Sequence, residues 1–533
     1  MNKDQLNAIV ILVVVLFYRT LFAQSATSTT KVTSDDLIDI KVIYRVSGES
    51  VSALRIDPEG QETHGHVYLG QHYLTSQRLR FLPTLNLSEY FKIKADFQLS
   101  AGYLAIDNPE ERFRNEGDLR DKNATVWSKN YGRQFRVRKL YSEIKTPVGQ
   151  VLLGRMSSQW GLGLFANAGD EDILDWGEAP MGSDYNYGDV VNRIVFATKP
   201  GKFFSDTELA DKIILAFGAD VLERDERFLL SENDFGWTDT NKRLDTTLEA
   251  IAALRYKDEH SEFGIYSAYR DIDDRNNDYL KAWAYDVFGK TTIPFETFDV
   301  FVAIEGVFVR GTTTIARNNA VLGALDIQQL GYVLRTGIEH GPTHLAATGE
   351  LGYASGDSNP NDGHLRNFTF DPNYQPSLIL FRHLHRGQTV AAAANAKDPD
   401  RVGQGLNGTR LLPSNGAVTN AIYFKPALRY HTDNSQFRIS LLWARSEEDF
   451  VDPYHANIQG GSSRNYQGGS GTLHDLGIEV NVGYDYTVKF SEVVAMKNSL
   501  QLGHLWPGPA FSDQFGREAD DIRLIYLRTE ITW

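Results

Sequence analysis

Phe91-Lys-Ile-Lys-Ala-Asp-Phe-Gln-Leu-Ser-Ala-Gly-Tyr103 alternates without a break. Successive side chains of a strand point to opposite faces, so Phe91, Ile93, Ala95, Phe97, Leu99, Ala101 and Tyr103 share one side. Lys92, Lys94, Asp96, Gln98 and Ser100 share the other. Strands of soluble domains run to about 5–6 residues. This one is twice that length, and aromatics stand at both ends of its apolar face, as in strands that cross a lipid bilayer.

The last stretch, Asp521 to Trp533, has the same two-sided character. Ile525, Leu527, Thr529, Ile531 and Trp533 oppose Leu524, Tyr526, Arg528, Glu530 and Thr532. A terminal aromatic at the membrane interface, on a strand that closes a barrel against the first strand, fits this pattern; an edge strand of a soluble β domain is the alternative.

The connections between such segments are sorted by length. Gly48–His72, Ile106–Gln134, Trp160–Asp189, the stretch to Arg243 and Ser355–Ala421 are long. Leu87–Tyr90, Thr146–Gly149, Gly341–Pro342 and Asp433–Ser435 are short, and Lys199–Lys212 is intermediate. Short periplasmic turns alternating with long extracellular loops mark outer-membrane barrels. The pattern predicts an all-β fold, a transmembrane antiparallel up-and-down β-barrel of about 18 strands. Pro83 and Pro426 fall inside predicted strands and are expected at strand ends or bulges. The period of Phe135–Lys145 slips near Arg138-Lys139.

Composition agrees. The 533 residues are 42% hydrophobic and 12% aromatic, with a mean hydropathy of −0.34. That excludes a helical membrane bundle but not a barrel, where only alternate strand residues meet lipid. With no cysteine, disulfides, thiolate chemistry and Cys-ligated zinc are excluded. A net charge of −15 argues against nucleic acid as a partner. Residues 1–23 have the features of a secretory signal peptide: Lys3, an apolar core Ala8–Phe17 and a small residue at Ala23. Residues 24–36 then form a periplasmic leader and 37–533 the barrel.

Within the predicted strands charge gathers on the polar face, which in a barrel is the lumen. The expected pore-lining residues are Arg78, Arg80, Lys92, Lys94, Arg155, Arg193, Arg255, Glu305, Arg335, Glu350, Arg429, Arg438, Glu479 and Arg528. Asp96, Asp220, Lys425 and Arg523 are placed with them. Cations outnumber acids here, whereas loop segments such as Asp170–Asp189 and Asp271–Asp278 are acidic. A basic-leaning lumen implies a channel for anionic solutes; paired lumenal charges that plug the barrel are the other reading.

Asp357, Asn359, Asn361 and Asp362 present oxygens to calcium in an extracellular loop. Their spacing does not match a helix–loop–helix site, and a turn-rich loop start explains them as well. No other metal site and no cofactor is expected. Ser377–Ala396 is expected to form a short helix, either a lid over or in the pore or a surface excursion within the 355–421 loop. His340, His344, His383 and His385 complete no Ser–His or Asp–His constellation, so the reading is a channel and not an enzyme.

Several short stretches resemble the alginate-export-like family of outer-membrane porins. They are Tyr141-Ser-Glu143 through Gly154-Arg155 with Trp160-Gly161, Gly352 to Gly363, Leu476 to Tyr484, and Pro507-Gly-Pro-Ala-Phe511. The resemblance implies a monomeric 18-strand barrel with an electropositive lumen that passes an anionic polysaccharide or smaller anionic solutes. It also implies that Arg155 and Glu143 line the pore. The acidic outer loops and the long Ser355–Ala421 connection depart from that pattern. The function expected is an outer-membrane porin; the alternative is a closed structural barrel whose acidic loops bind a partner or lipopolysaccharide through divalent ions. Expected partners are outer-membrane lipid and lipopolysaccharide, the barrel-assembly machinery (through the C-terminal strand ending at Trp533) and the solute.

Overall fold

The computed structural model describes residues 37–52, 54–55, 68–69, 72–106, 134–169, 190–205, 207–222, 246–273, 278–316, 323–359, 362–395, 414, 416–452 and 463–533. The signal-peptide and leader assignments lie outside these residues, as do most of the acidic loop segments.

Eighteen strands form one antiparallel sheet that closes on itself. They are β1 (Ile38–Ser52), β2 (His72–Asn86), β3 (Phe91–Ile106), β4 (Gln134–Thr146), β5 (Gly149–Ser157) and β6 (Val190–Thr198). Next come β7 (Ile213–Leu222), β8 (Thr246–Lys257), β9 (Ser261–Asp273), β10 (Tyr279–Pro294), β11 (Phe298–Thr313) and β12 (Leu325–His340). The last are β13 (Leu345–Ala354), β14 (Ala421–His431), β15 (Ser435–Ser446), β16 (Asp475–Lys489), β17 (Ala495–Pro507) and β18 (Ile522–Thr532). A further two-residue segment, His364–Leu365, lies parallel to the start of β12. Each strand pairs with its sequence neighbours, and β1 pairs with β18. Val42 and Trp533 exchange backbone hydrogen bonds at 2.7 and 3.0 Å, so the terminal aromatic completes the closure.

The apolar face points outward. On β18, Ile525 and Leu527 are about half exposed, whereas Leu524 and Tyr526 are buried. The same holds around the wall for Ile265, Val287, Ile304, Leu334, Leu428 and Leu502, all exposed. A contiguous apolar belt on the outer face of a closed sheet whose ion pairs point inward is the reverse of a soluble β-sandwich, and lipid is the environment that stabilises it. Among the described residues no helix is long and apolar enough to cross a membrane.

One end of the barrel carries the short turns. The exception there is the β6–β7 connection, with a single helical turn at Pro200–Phe203 and the short helix α1 (Glu208–Lys212). All the long connections are at the other end. The slip near Arg138 is a bulge: the β3–β4 register shifts between Asp96 and Phe97. The prolines behave differently from expectation. Pro83 sits opposite Ile40, and Pro426 opposite Gly349, in mid-strand. Register is kept on both sides of each; only the ladder facing β3 or β15 is interrupted locally. A missing N–H removes a rung without inserting a residue.

Candidate functional site: a lumen crossed by two tethered loops

In the half of the lumen nearer the short turns, ion pairs share acids. Asp96 takes Arg80 (Nε–Oδ1 3.2 Å) and, because of the bulge, Arg138 (3.4 Å) as well. Asp485 takes Arg438 at 2.8 Å and Lys497 at 3.4 Å. Glu262 faces Arg255 at 2.6 Å, Lys257 at 3.6 Å and Lys290 at 3.9 Å. Glu339 holds Arg429 at 2.5 Å and His431 at 2.9 Å. Lys94 pairs with Glu143 at 2.8 Å, with Lys92 in register beside it. Arg45 pairs with Glu530 at 2.7 Å, and Arg78 stands opposite Arg45. Arg528 stands between Ser499 and Ser47 on the same inner face. Arg193 grips Asp220 with two bonds, 2.7 and 2.5 Å, and reaches Ser158 at 3.1 Å.

Arg155 is a correction to the expected set. It stands in register with Leu140 and Asn192, and shares its face with Leu153; Leu140 and Leu153 are exposed on the outer wall. Glycine occupies the inward position beside it: Gly154 faces Tyr141 and Arg193. Arg523 is likewise on the outer face, alternating with the inward Ile522 and Leu524. Near the end of a strand an outward charge reaches water or headgroups, so charge alone does not assign the face there.

Nearer the long loops, inward carboxylates also hold the loops. Glu305 is fully buried and accepts backbone N–H bonds from Leu162 and from Leu164 (3.0 Å), so the β5–β6 connection dips into the barrel. Gly161 makes that dip with a left-handed φ of 53°, and a Cβ there would lie 2.5 Å from the Glu305 carboxylate. Trp160 packs on Tyr266, with ring centroids 5.4 Å apart.

Glu479, on β16, is also fully buried. Its two oxygens accept N–H bonds from Leu378 (2.6 Å), Ile379 (3.1 and 3.2 Å) and Leu380 (2.8 Å). Glu49, on β1, pairs with Arg382 at 2.8 Å and lies 3.5 Å from His383. Glu350 binds Arg335 at 2.6 Å and the Tyr423 hydroxyl, and Arg335 stacks over Tyr374 at 5.2 Å. The long β13–β14 connection is thereby hung across the lumen from β1, β12–β13 and β16. A wide π-type turn at Leu380–His385 leads into α2 (Arg386–Asn395), within the expected 377–396 span. Leu378 to Leu384 are buried, so this segment is inside the barrel and not on its surface. The two inward loops meet: the Asp371 N–H donates to the Leu164 carbonyl at 2.8 Å.

Glu49 lies beyond the expected set, because Gly48 marks a loop start in the sequence, although the inward series Ser47, Glu49, Val51 continues the alternation. The Asp357 turn is occupied by the chain itself. Asp357 accepts the Asn359 and Arg366 N–H groups, and Asp362 binds the Arg366 guanidinium at 2.9 Å. Asn361 lies outside the described residues.

His385 packs against Phe381, Phe450 and Tyr466. Burial away from water pushes its imidazole down to about 4. Released into water it would titrate near 6.5, so the released loop binds more protons between those values. Docking is therefore fully favourable above about pH 6.5 and loses roughly 3 kcal/mol as pH falls through 4. Conductance across a bilayer should rise on going from pH 7 to pH 4, and His385→Phe should flatten that profile. An unchanged profile in the variant would show that another group controls it.

No protein-family model matches the chain, and no curated protein matches it. Among solved structures, the outer membrane protein OprD from Pseudomonas aeruginosa is similar over 93% of each chain, with a TM-score of 0.50 and 10% identity. Pseudomonas aeruginosa OccK9 (OpdG) is similar over 93% of this chain and 98% of its own, at 0.49 and 9%. OccK2 (OpdF) of the same organism, in complex with glucuronate, covers 93% and 95%, at 0.45 and 9%. The likeness to OprD shows a shared fold: this chain is an 18-strand closed barrel of the kind found in outer-membrane porins.

Proposed function

We propose that the protein is an outer-membrane porin, a channel and not an enzyme, that passes small anionic solutes through a lumen narrowed by two tethered loops. The short-turn end then faces the periplasm and the long-loop end the exterior. The observation that carries the reading is the sharing of acids in the periplasmic half. Asp96 and Asp485 each serve two cations and Glu262 three, so in these clusters inward cations outnumber acids although the chain as a whole is acidic. Fixed charge lining a pore sets the sign of the ion it admits.

Kinship with alginate-export-like porins is supported by where the quoted motifs fall. Trp160-Gly161 forms the dip onto Glu305, and the Gly352–Gly363 stretch begins the loop that crosses the lumen. Passage of an anionic polymer needs that loop to withdraw, so small anions are the favoured solutes. A closed barrel that binds lipopolysaccharide or another partner through its loops is the second reading, favoured by the burial of Leu378 to Leu384.

Bilayer recordings separate these. The channel reading expects conductance steps and an anion-selective reversal potential in a potassium chloride gradient. Arg438→Gln with Lys497→Gln should move that potential toward zero, whereas the absence of any steps would support the closed barrel.

A further inference from the structure

Two inward carboxyl groups on neighbouring strands are fully shielded from water, Asp286 on β10 and Glu305 on β11. Asp286 stands opposite Val307 and Glu305 opposite Phe288, so the two acids are diagonal neighbours on one face. Glu305 is satisfied by the Leu162 and Leu164 N–H groups of the β5–β6 loop. By contrast, no donor among the described residues bonds to either oxygen of Asp286. Its polar neighbours are the Glu305 carboxyl, itself an acceptor, and the Trp160 indole, whose N–H is also without a bond.

The surroundings, among the described residues, place no cation against the pair. Strand β9 offers Tyr266 in register with Asp286, and Gly264, whose missing side chain leaves the space that the Trp160 ring fills. Strand β10 adds Ala284 and Phe288, β11 adds Val307, and β12 sets Val333 opposite Glu305. The loop above brings Trp160, Gly161, Leu162 and Leu164, with Gly161 close against Phe288. The charged groups beyond Tyr266 are committed to one another, Arg193 to Asp220 and Arg270 to Glu249. Asp371, reached through Leu164, accepts the Asn373 N–H.

Two ionised carboxylates in contact, away from water and without a cation, are strongly disfavoured. One proton between them turns the repulsion into a charge-assisted hydrogen bond. We propose that Asp286 is a neutral acid that donates its O–H to the Glu305 carboxylate, and that this shared proton latches the β5–β6 loop inside the lumen. Loss of the proton to hydroxide puts a second charge beneath Trp160 and Leu162, which only entering water solvates, and the loop lifts. In water each carboxyl ordinarily ionises near pH 4, so a released loop leaves the pair one proton poorer. Docking of this loop therefore weakens as pH rises above that value, opposite in sign to the effect of His385. The inference goes beyond the channel reading, which supplies only one of its readouts.

Infrared difference spectra of the full-length protein in detergent, wild type minus Asp286→Asn, test the proton at pH 7. The wild type should show a protonated-carboxyl stretch that the variant lacks and that fades on alkalinisation. Hydrogen exchange over Leu162–Leu164 reports the latch without a conducting channel or a variant. Beyond the intrinsic pH dependence, its protection should fall by up to about ten-fold per pH unit from pH 7 to about pH 9. Asp286→Asn, whose amide replaces the O–H donor, should keep that protection flat, and bilayer conductance should follow the same pattern. Absence of the stretch in the wild type, or its survival in Asp286→Asn, would overturn the proposal. An alkaline loss of protection that is missing in the wild type, or undiminished in the variant, would do the same. Abolition of the alkaline effect by chelating divalent ions would hand the pair to a metal cation and equally overturn it. Missing channel steps at every pH, with the stretch and the exchange pattern in place, would count against the channel reading alone.

Discussion

Glu479→Ala should release the long loop from the lumen and raise the single-channel conductance several-fold. The carboxylate accepts four hydrogen bonds from three consecutive backbone N–H groups, with Asn481 as a fourth donor at 2.8 Å. Bonds to a charged acceptor contribute about 1.5–3 kcal/mol each, and losing the acceptor strands these buried N–H groups. The barrel wall should survive, because β16 keeps its ladders to β15 and β17 through the backbone. Two readouts belong together here: conductance in planar bilayers, and cleavage of the loop by protease added on the exterior side of liposomes. Glu479→Gln, which keeps one acceptor oxygen, should fall between wild type and alanine. A variant with wild-type conductance and a protected loop would mean that the Glu49–Arg382 and Arg335–Tyr374 contacts are enough.

Asp96→Ala should destabilise the barrel by about 3–5 kcal/mol, the usual cost of removing one member of a buried ionic group. Arg80, Arg138 and Asp96 are all nearly inaccessible to water. Without the acid, the guanidinium groups of Arg80 and Arg138 lose the carboxylate they share, and the β3–β4 bulge that brings Arg138 inward loses that contact. Urea unfolding in detergent micelles, followed by tryptophan fluorescence, gives the loss directly. Adding Arg138→Leu to Asp96→Ala should recover part of the stability, since one of the two buried cations that shared the lost carboxylate is gone. No recovery would locate the defect in the backbone of the bulge and not in the charge.

The wall of this protein was legible in its residues. Period-two alternation depends only on backbone geometry, so Phe91–Tyr103 and Leu524–Trp533 declared their two faces, and loop lengths then fixed the up-and-down order. Even the irregularity at Arg138 was visible, because a bulge shifts the period locally and the shift is written in the chain. Inward charge could be assigned wherever the strand lies at mid-membrane, where an outward charge is costly. Arg155 and Arg523 escaped that rule because they sit near strand ends, where the cost fades.

The crossing of the lumen was not legible. Leu378 and Glu479 are separated by a hundred residues of chain, and backbone amides carry no sequence signature that marks them as carboxylate partners. Thus alternation told which residues face inward, but the three-dimensional fold decided that Glu49, Glu305 and Glu479 meet protein there and not water. A strand's faces follow from local sterics, whereas a loop's resting place depends on which distant groups can satisfy its buried polar atoms.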